Sequence, residues 1–165
     1  MRFIVSAIVL AMAYPTIAMA DAKSTLAQTQ AFFAALENRN LKKVESLMDE
    51  GIVNTIPFVP SGKTTKDAFR IYDGRDQVMA YVAGALERIP ELAFVEPDIT
   101  LSADGETAFV EARGKMVLAD GRPYQNLYVW RIDYEDGKIT AITEYFNPVT
   151  AAIAFNRPIG PQAVD

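Results

Sequence analysis

The chain has 165 residues, a formal charge of −5, no cysteine and no histidine. Disulfides, thiolate chemistry and imidazole proton transfer or metal ligation are therefore excluded, and acid–base work falls to Asp, Glu, Tyr or Lys. No block of five basic residues occurs, which argues against nucleic acid or anionic membrane as a partner.

The N-terminus reads as a secretory leader. Arg2 supplies a positive n-region, Phe3 to Ala13 a short apolar run, and Ala18-Met19-Ala20 a small-x-small cleavage pattern. The apolar run is shorter than the roughly 20 residues that span a bilayer. Residues 1–20 are thus expected to be removed, giving a periplasmic or secreted protein with no membrane segment. Arg2 is the sole charge in the leader, so the mature chain carries about −6. Its length suits one domain, expected over 21–149, with a tail over 150–165.

Three helices come first. Ser24 to Asn38 carries an apolar stripe of Leu26, Phe32, Phe33 and Leu36, with Ser24 or Thr25 as its cap. Leu41 to Met48 presents Leu41, Val44, Leu47 and Met48. Ile52 to Arg70, with Pro57, Pro60 and Gly62, reads as an irregular loop folded over a core or pocket. Asp73-Gly74-Arg75-Asp76 opens a third helix that Pro90 stops.

Four strands follow, over Ala93–Leu101, Thr107–Leu118, Tyr124–Tyr134 and Lys138–Asn147, separated by Gly-containing turns. In the third, Tyr124, Asn126, Tyr128, Trp130, Ile132 and Tyr134 share an aromatic face, which marks the interior. The fourth depends on the hairpin turn. A three-residue loop, Glu135-Asp136-Gly137, pairs Tyr134 with Lys138 and turns Thr140, Ile142, Glu144 and Phe146 inward. A two-residue loop turns Thr143, Tyr145 and Asn147 inward instead. The three-residue loop is preferred, and it sets Glu144 opposite Tyr128.

Helices followed by a strand meander give an α+β fold: a cone-shaped roll, three N-terminal helices on a curved antiparallel sheet of about four to six strands. Glu144 among aromatics should have a raised pKa and could serve as a general acid or base. Tyr128, Asn126 and Asn54 could orient a ligand by hydrogen bonding. Phe32, Phe33, Phe58, Tyr81 and Phe94 read as core or pocket wall. No phosphate loop, nucleophile elbow or metal-ligand cluster is present, so no cofactor is expected.

Two stretches carry a resemblance. Tyr72-Asp73-Gly74-Arg75-Asp76-Gln77-Val78 is similar to the entry of the third helix in the nuclear transport factor 2-like superfamily, SnoaL-like branch. Tyr124 to Trp130, Asp136 to Ile139 and Glu144-Tyr145-Phe146-Asn147-Pro148 resemble the closing strands of the phenazine-biosynthesis A/B proteins. The resemblance implies a cone fold, a homodimer packed through its sheet, and a ligand pocket. Relatives include ketosteroid isomerase, polyketide cyclases and binding proteins without activity. It also implies that Glu144 is a pocket acid/base. The pocket histidine of the phenazine-type members has no counterpart here.

Two functions follow as expectations. The cone binds a small hydrophobic or aromatic molecule without turnover, with Tyr128, Asn126, Asn54, Phe58, Trp130 and Phe146 as its lining. Alternatively, it is a cofactor-free isomerase or cyclase that uses Glu144 catalytically. A cone filled by its own side chains is the remaining possibility, and it predicts no internal cavity.

Overall fold

The computed structural model describes residues 15–59 and 62–158, so most of the expected leader and the end of the tail lie outside the described residues. Among the described residues no helix is long and apolar enough to cross a membrane. The elements are α1 (Pro15–Glu37), α2 (Leu41–Leu47), β1 (Met48–Ile56), β2 (Arg70–Asp73), α3 (Arg75–Arg88), β3 (Glu91–Leu101), β4 (Thr107–Val117), β5 (Pro123–Glu135), β6 (Lys138–Phe146) and α4 (Pro148–Ala154). The strands form one sheet in the order β2-β1-β6-β5-β4-β3. Only the β1–β6 pairing is parallel.

The expected α+β cone is present, with three differences. The segment expected to be irregular from Ile52 holds β1, which begins at Met48, and ends at β2. Asn54 therefore sits on a strand, paired with Tyr72 and Ile142. A fourth helix, α4, starts in the closing Asn147-Pro148. Asn147 accepts from the Val149 and Thr150 amides, and Pro148 occupies a first-turn position that needs no amide donor. Finally, α1 starts before Ser24, so neither Ser24 nor Thr25 caps it. Thr25 instead donates to the Gly105 carbonyl over 2.6 Å and docks the helix on the β3–β4 turn.

The core lies between α1–α3 and the inner face of the sheet. Its fully buried members include Val44, Ile52, Val78, Val110, Ile132 and Ile139. All six residues assigned to the inner face of β5 are buried, and the intervening residues from Gln125 to Arg131 are exposed. That alternation follows from the period-two pattern of the strand.

The β5–β6 hairpin corrects the expected turn. Glu135 pairs with Lys138, so the loop has two residues, Asp136 and Gly137, with φ of 48° and 70°. Two consecutive positive φ values match the twist of flanking strands and suit an Asp-Gly pair. A bulge then leaves Thr140 between the pairs Tyr134–Ile139 and Asp133–Ala141. Ile139 takes the inner position expected for Thr140, while Ile142 and Glu144 still face inward. Glu144 consequently lies opposite Trp130, not Tyr128, and Tyr128 pairs with Phe146.

Candidate ligand cavity

A cavity of about 140 Å³ lies between α3 and the sheet. A filled cone is thereby ruled out. Its wall is mostly aromatic and aliphatic. Tyr128 and Trp130 stack in parallel with centroids 4.8 Å apart, and Phe94 meets both edge-on. Gly114 makes room for this stack: a Cβ there would lie 2.9 Å from the Tyr128 ring. Edge-to-face and offset contacts of this kind hold rings in fixed orientations.

The polar groups gather around Glu144. α3 begins at Gly74, whose φ of 87° no side-chain-bearing residue adopts readily, and whose amide donates to Ile52 of β1. This fixes the helix over β1 and β2. Two turns on, Tyr81 stacks on Tyr72 with centroids 4.5 Å apart. Its hydroxyl donates to Glu144 Oε2 over 2.8 Å.

Burial pushes the Glu144 carboxyl above the usual carboxylate range, against the opposing pull of the Tyr81 hydrogen bond and the Arg70 charge. Burial likewise pushes Tyr81 well above an ordinary phenol, aided by the charge of Glu144. Tyr81 is thus a neutral donor at ordinary pH. A carboxyl whose pKa is raised by burial is better suited than an exposed one to give and take a proton. Tyr128 is also pushed up by burial, and its hydroxyl donates to that of Tyr124 over 3.1 Å.

Two buried polar atoms on the lining residues have no partner in the protein: Asn54 Oδ1 and Arg70 Nε. Buried polar groups are nearly always satisfied, so an orphaned acceptor and donor beside one cavity mark where a polar ligand group would sit.

Of the residues singled out from the sequence, Glu144, Tyr128, Trp130, Phe146 and Asn54 line this cavity, as do Phe32, Tyr81 and Phe94. Phe33 packs in the core edge-on to Phe94 and Trp130. Asn126 and Phe58 are not brought to it. The Asn126 amide donates to Tyr124 and to the Asn147 carbonyl, and accepts from the Leu127 and Asn147 amides. It ties β5 to the start of α4. Phe58 lies in a neighbouring groove, edge-on to Tyr145 and Phe146. Arg70 was missed because its stretch read as loop. An arginine beside the Ile71-Tyr72 pair was the available signal.

A family model described as a SnoaL-like domain matches residues 29–142. The chain belongs to the SnoaL-like family. Residues 29–142 run from the middle of α1 into β6 and stop just short of Glu144. The Bacillus subtilis (strain 168) protein YesE is 27% identical over 125 residues, covering 75% of this SnoaL-like chain and 82% of its own. A B. subtilis crystal structure described as that of a candidate isomerase has a TM-score of 0.72 at 24% identity, covering 86% of this chain and 99% of that one. A phenazine biosynthesis-related protein from Pseudomonas aeruginosa also has a TM-score of 0.72, at 17% identity, covering 90% and 94%. At such identities the likeness concerns the SnoaL-like fold.

Proposed function

We propose that this SnoaL-like domain holds a small hydrophobic or aromatic molecule in its cone, with a polar end against Asn54, Arg70, Tyr81 and Glu144. One observation carries the proposal: an otherwise apolar cavity whose lining residues supply an unpaired acceptor and an unpaired donor. Its size suits one ring, since a cavity of about 150 Å³ binds benzene. Export is part of this proposal. Ala22 and Thr25, which dock α1 on the β3–β4 turn, lie past the expected cut after Ala20. A homodimer is also part of it, supported by exposed Phe109, Leu127, Val129 and Tyr145 on the outer face of the sheet.

Trp130 is the single tryptophan and lines the cavity, so its indole resonance reports occupancy. Benzyl alcohol should shift that one cross-peak saturably, and Ala85→Phe, which fills the cavity from α3, should abolish the shift. A response that does not saturate, or that persists in the filled variant, would refute cavity binding.

The Tyr81–Glu144 contact favours a second function: a cofactor-free isomerase or cyclase in which Glu144 shuttles a proton. Glu144→Gln should then abolish turnover of an identified substrate while sparing its affinity. Equal turnover by variant and wild type would remove Glu144 from the mechanism.

A further inference from the structure

The described residues include eight arginines. Arg75, Arg113, Arg122 and Arg131 form ion pairs with Glu50, Glu96, Asp120 and Asp133. Arg39 is anchored on the carbonyls of Leu86, Ile89 and Pro90. The remaining three, Arg70, Arg88 and Arg157, all line the cavity, and none is ion-paired to a described carboxylate. In a chain with an acidic excess, three of the four described arginines without an ion-paired carboxylate converge on one largely apolar site.

Arg70 and Arg157 have a further property. Both also line the outer groove that runs past Phe58 and Pro148 to α4. They therefore stand where the cavity meets that groove. Arg70 is half-buried and its Nε is one of the two orphaned buried atoms, whereas Arg157 is exposed and lies over the Phe155 ring at 5.4 Å. A guanidinium offers several donors in a planar fork, and its match is a carboxylate. Glu144 is the acidic side chain that lines the cavity. Burial pushes its pKa upward, and the Arg70 charge pulls the other way.

We propose that the occupant of this cavity is a small hydrophobic carboxylic acid bound as its anion, with the ring or chain against the Tyr128–Trp130 wall and the carboxylate on Arg70, assisted by Arg157. This inference rests on the cavity binding proposed above and specifies its ligand class. A neutral ligand of the same shape would leave Arg70 Nε without a charged acceptor. A carboxylate would satisfy it in a partly enclosed site, where charge-assisted bonds gain strength.

The test compares benzoate with benzamide, equal in ring and nearly equal in shape, by titrating the Trp130 indole cross-peak of the purified protein. Benzoate should bind about tenfold tighter than benzamide or better, as a charge-assisted bond implies. Arg70→Gln should remove the advantage of benzoate, so that the two probes bind the variant with similar affinity. Should that variant fail to fold by circular dichroism, Arg157→Gln carries the test, with a severalfold loss for benzoate alone. Equal binding of the two probes by wild type, or a benzoate affinity indifferent to both substitutions, would overturn the anion site while leaving the cavity as a binding site. Failure of both probes to move the indole peak would overturn cavity binding and this inference together.

Discussion

The hydroxyl of Tyr81 on α3 donates to the carboxyl of Glu144 on β6 over 2.8 Å, joining helix to sheet through the cavity wall. The two residues are 63 positions apart in the chain. Their meeting requires three arrangements at once: the Gly74 start of α3, the stacking of Tyr72 on Tyr81, and the inward register of β6.

The protonation of Glu144 should be visible in folding stability. Burial raises its pKa in the folded chain above the ordinary value, so the folded state holds the proton more tightly than the unfolded one. The resulting stabilisation is fully present below the ordinary glutamate pKa and is lost as pH rises through the folded value. Glu144→Gln keeps an acceptor for Tyr81 but removes the titration. The variant should therefore gain stability relative to wild type as pH rises from about 4 to 8, the window above the glutamate reference value. Urea unfolding midpoints across that range measure the gain. A pH-independent difference would show that Glu144 titrates alike in both states.

The second prediction concerns the buried polar link between α1 and the sheet. Thr29 is fully buried, donates to the Thr25 carbonyl over 2.7 Å, and lies 2.8 Å from the Tyr134 hydroxyl. Thr29→Val preserves shape and strands the tyrosine hydroxyl, at a cost of about 1–3 kcal/mol. Adding Tyr134→Phe removes the stranded group, so the double variant should lose less than the sum of the singles. Additive losses in a denaturation cycle would mean that the two hydroxyls do not act as a pair.

Two glycines with nearly equal φ allow packing to be separated from backbone strain. Gly105 has φ of 80° and Gly121 has φ of 83°. A Cβ on Gly105 would lie 2.9 Å from the Ala22 nitrogen and 3.0 Å from its Cα, whereas Gly121 faces open space. Gly121→Ala should cost about 1 kcal/mol through its positive φ. Gly105→Ala should cost clearly more, because α1 must shift off the turn. Matching melting temperatures for the two variants would show that α1 docks loosely there.

The sequence made β5 legible because its pattern is local: six inward residues alternate with polar ones, and turns bound the strand at both ends. The third helix was legible for a similar reason, opened by Gly74-Arg75-Asp76 and closed before Pro90. β1 and β2 were not legible. Glu50-Gly51 reads as a helix terminator, the prolines beyond Ile56 read as loop, and the partners that stabilise β1 lie on β6 and across the loop on β2. The fourth helix was hidden because the residues from Thr150 onward read as a tail, although Pro148 occupies a first-turn position behind an Asn147 cap. At the site, Glu144 stood out as a carboxyl on an aromatic face. The place of Arg70 at the cavity and the Tyr81–Glu144 hydrogen bond depend on tertiary structure, so local pattern offered only an arginine beside Ile71-Tyr72 and a wall residue on the third helix.

The Thr140 bulge bears on which length changes the family can tolerate in this hairpin. A two-residue turn alone would invert β6, and the one extra residue at Thr140 restores its parity. Facing in the last third of β6 is thus set by an odd–even count, not by the side chains of Glu144 and its neighbours. Deleting Thr140 alone would remove the bulge and keep the pairs Tyr134–Ile139 and Asp133–Ala141, so Glu144 would still face the cavity, whereas straightening the strand with Thr140 in place would turn Tyr145 inward and Glu144 out to solvent. Loss of the single residue Thr140 should accordingly be accepted with the site facing as it does.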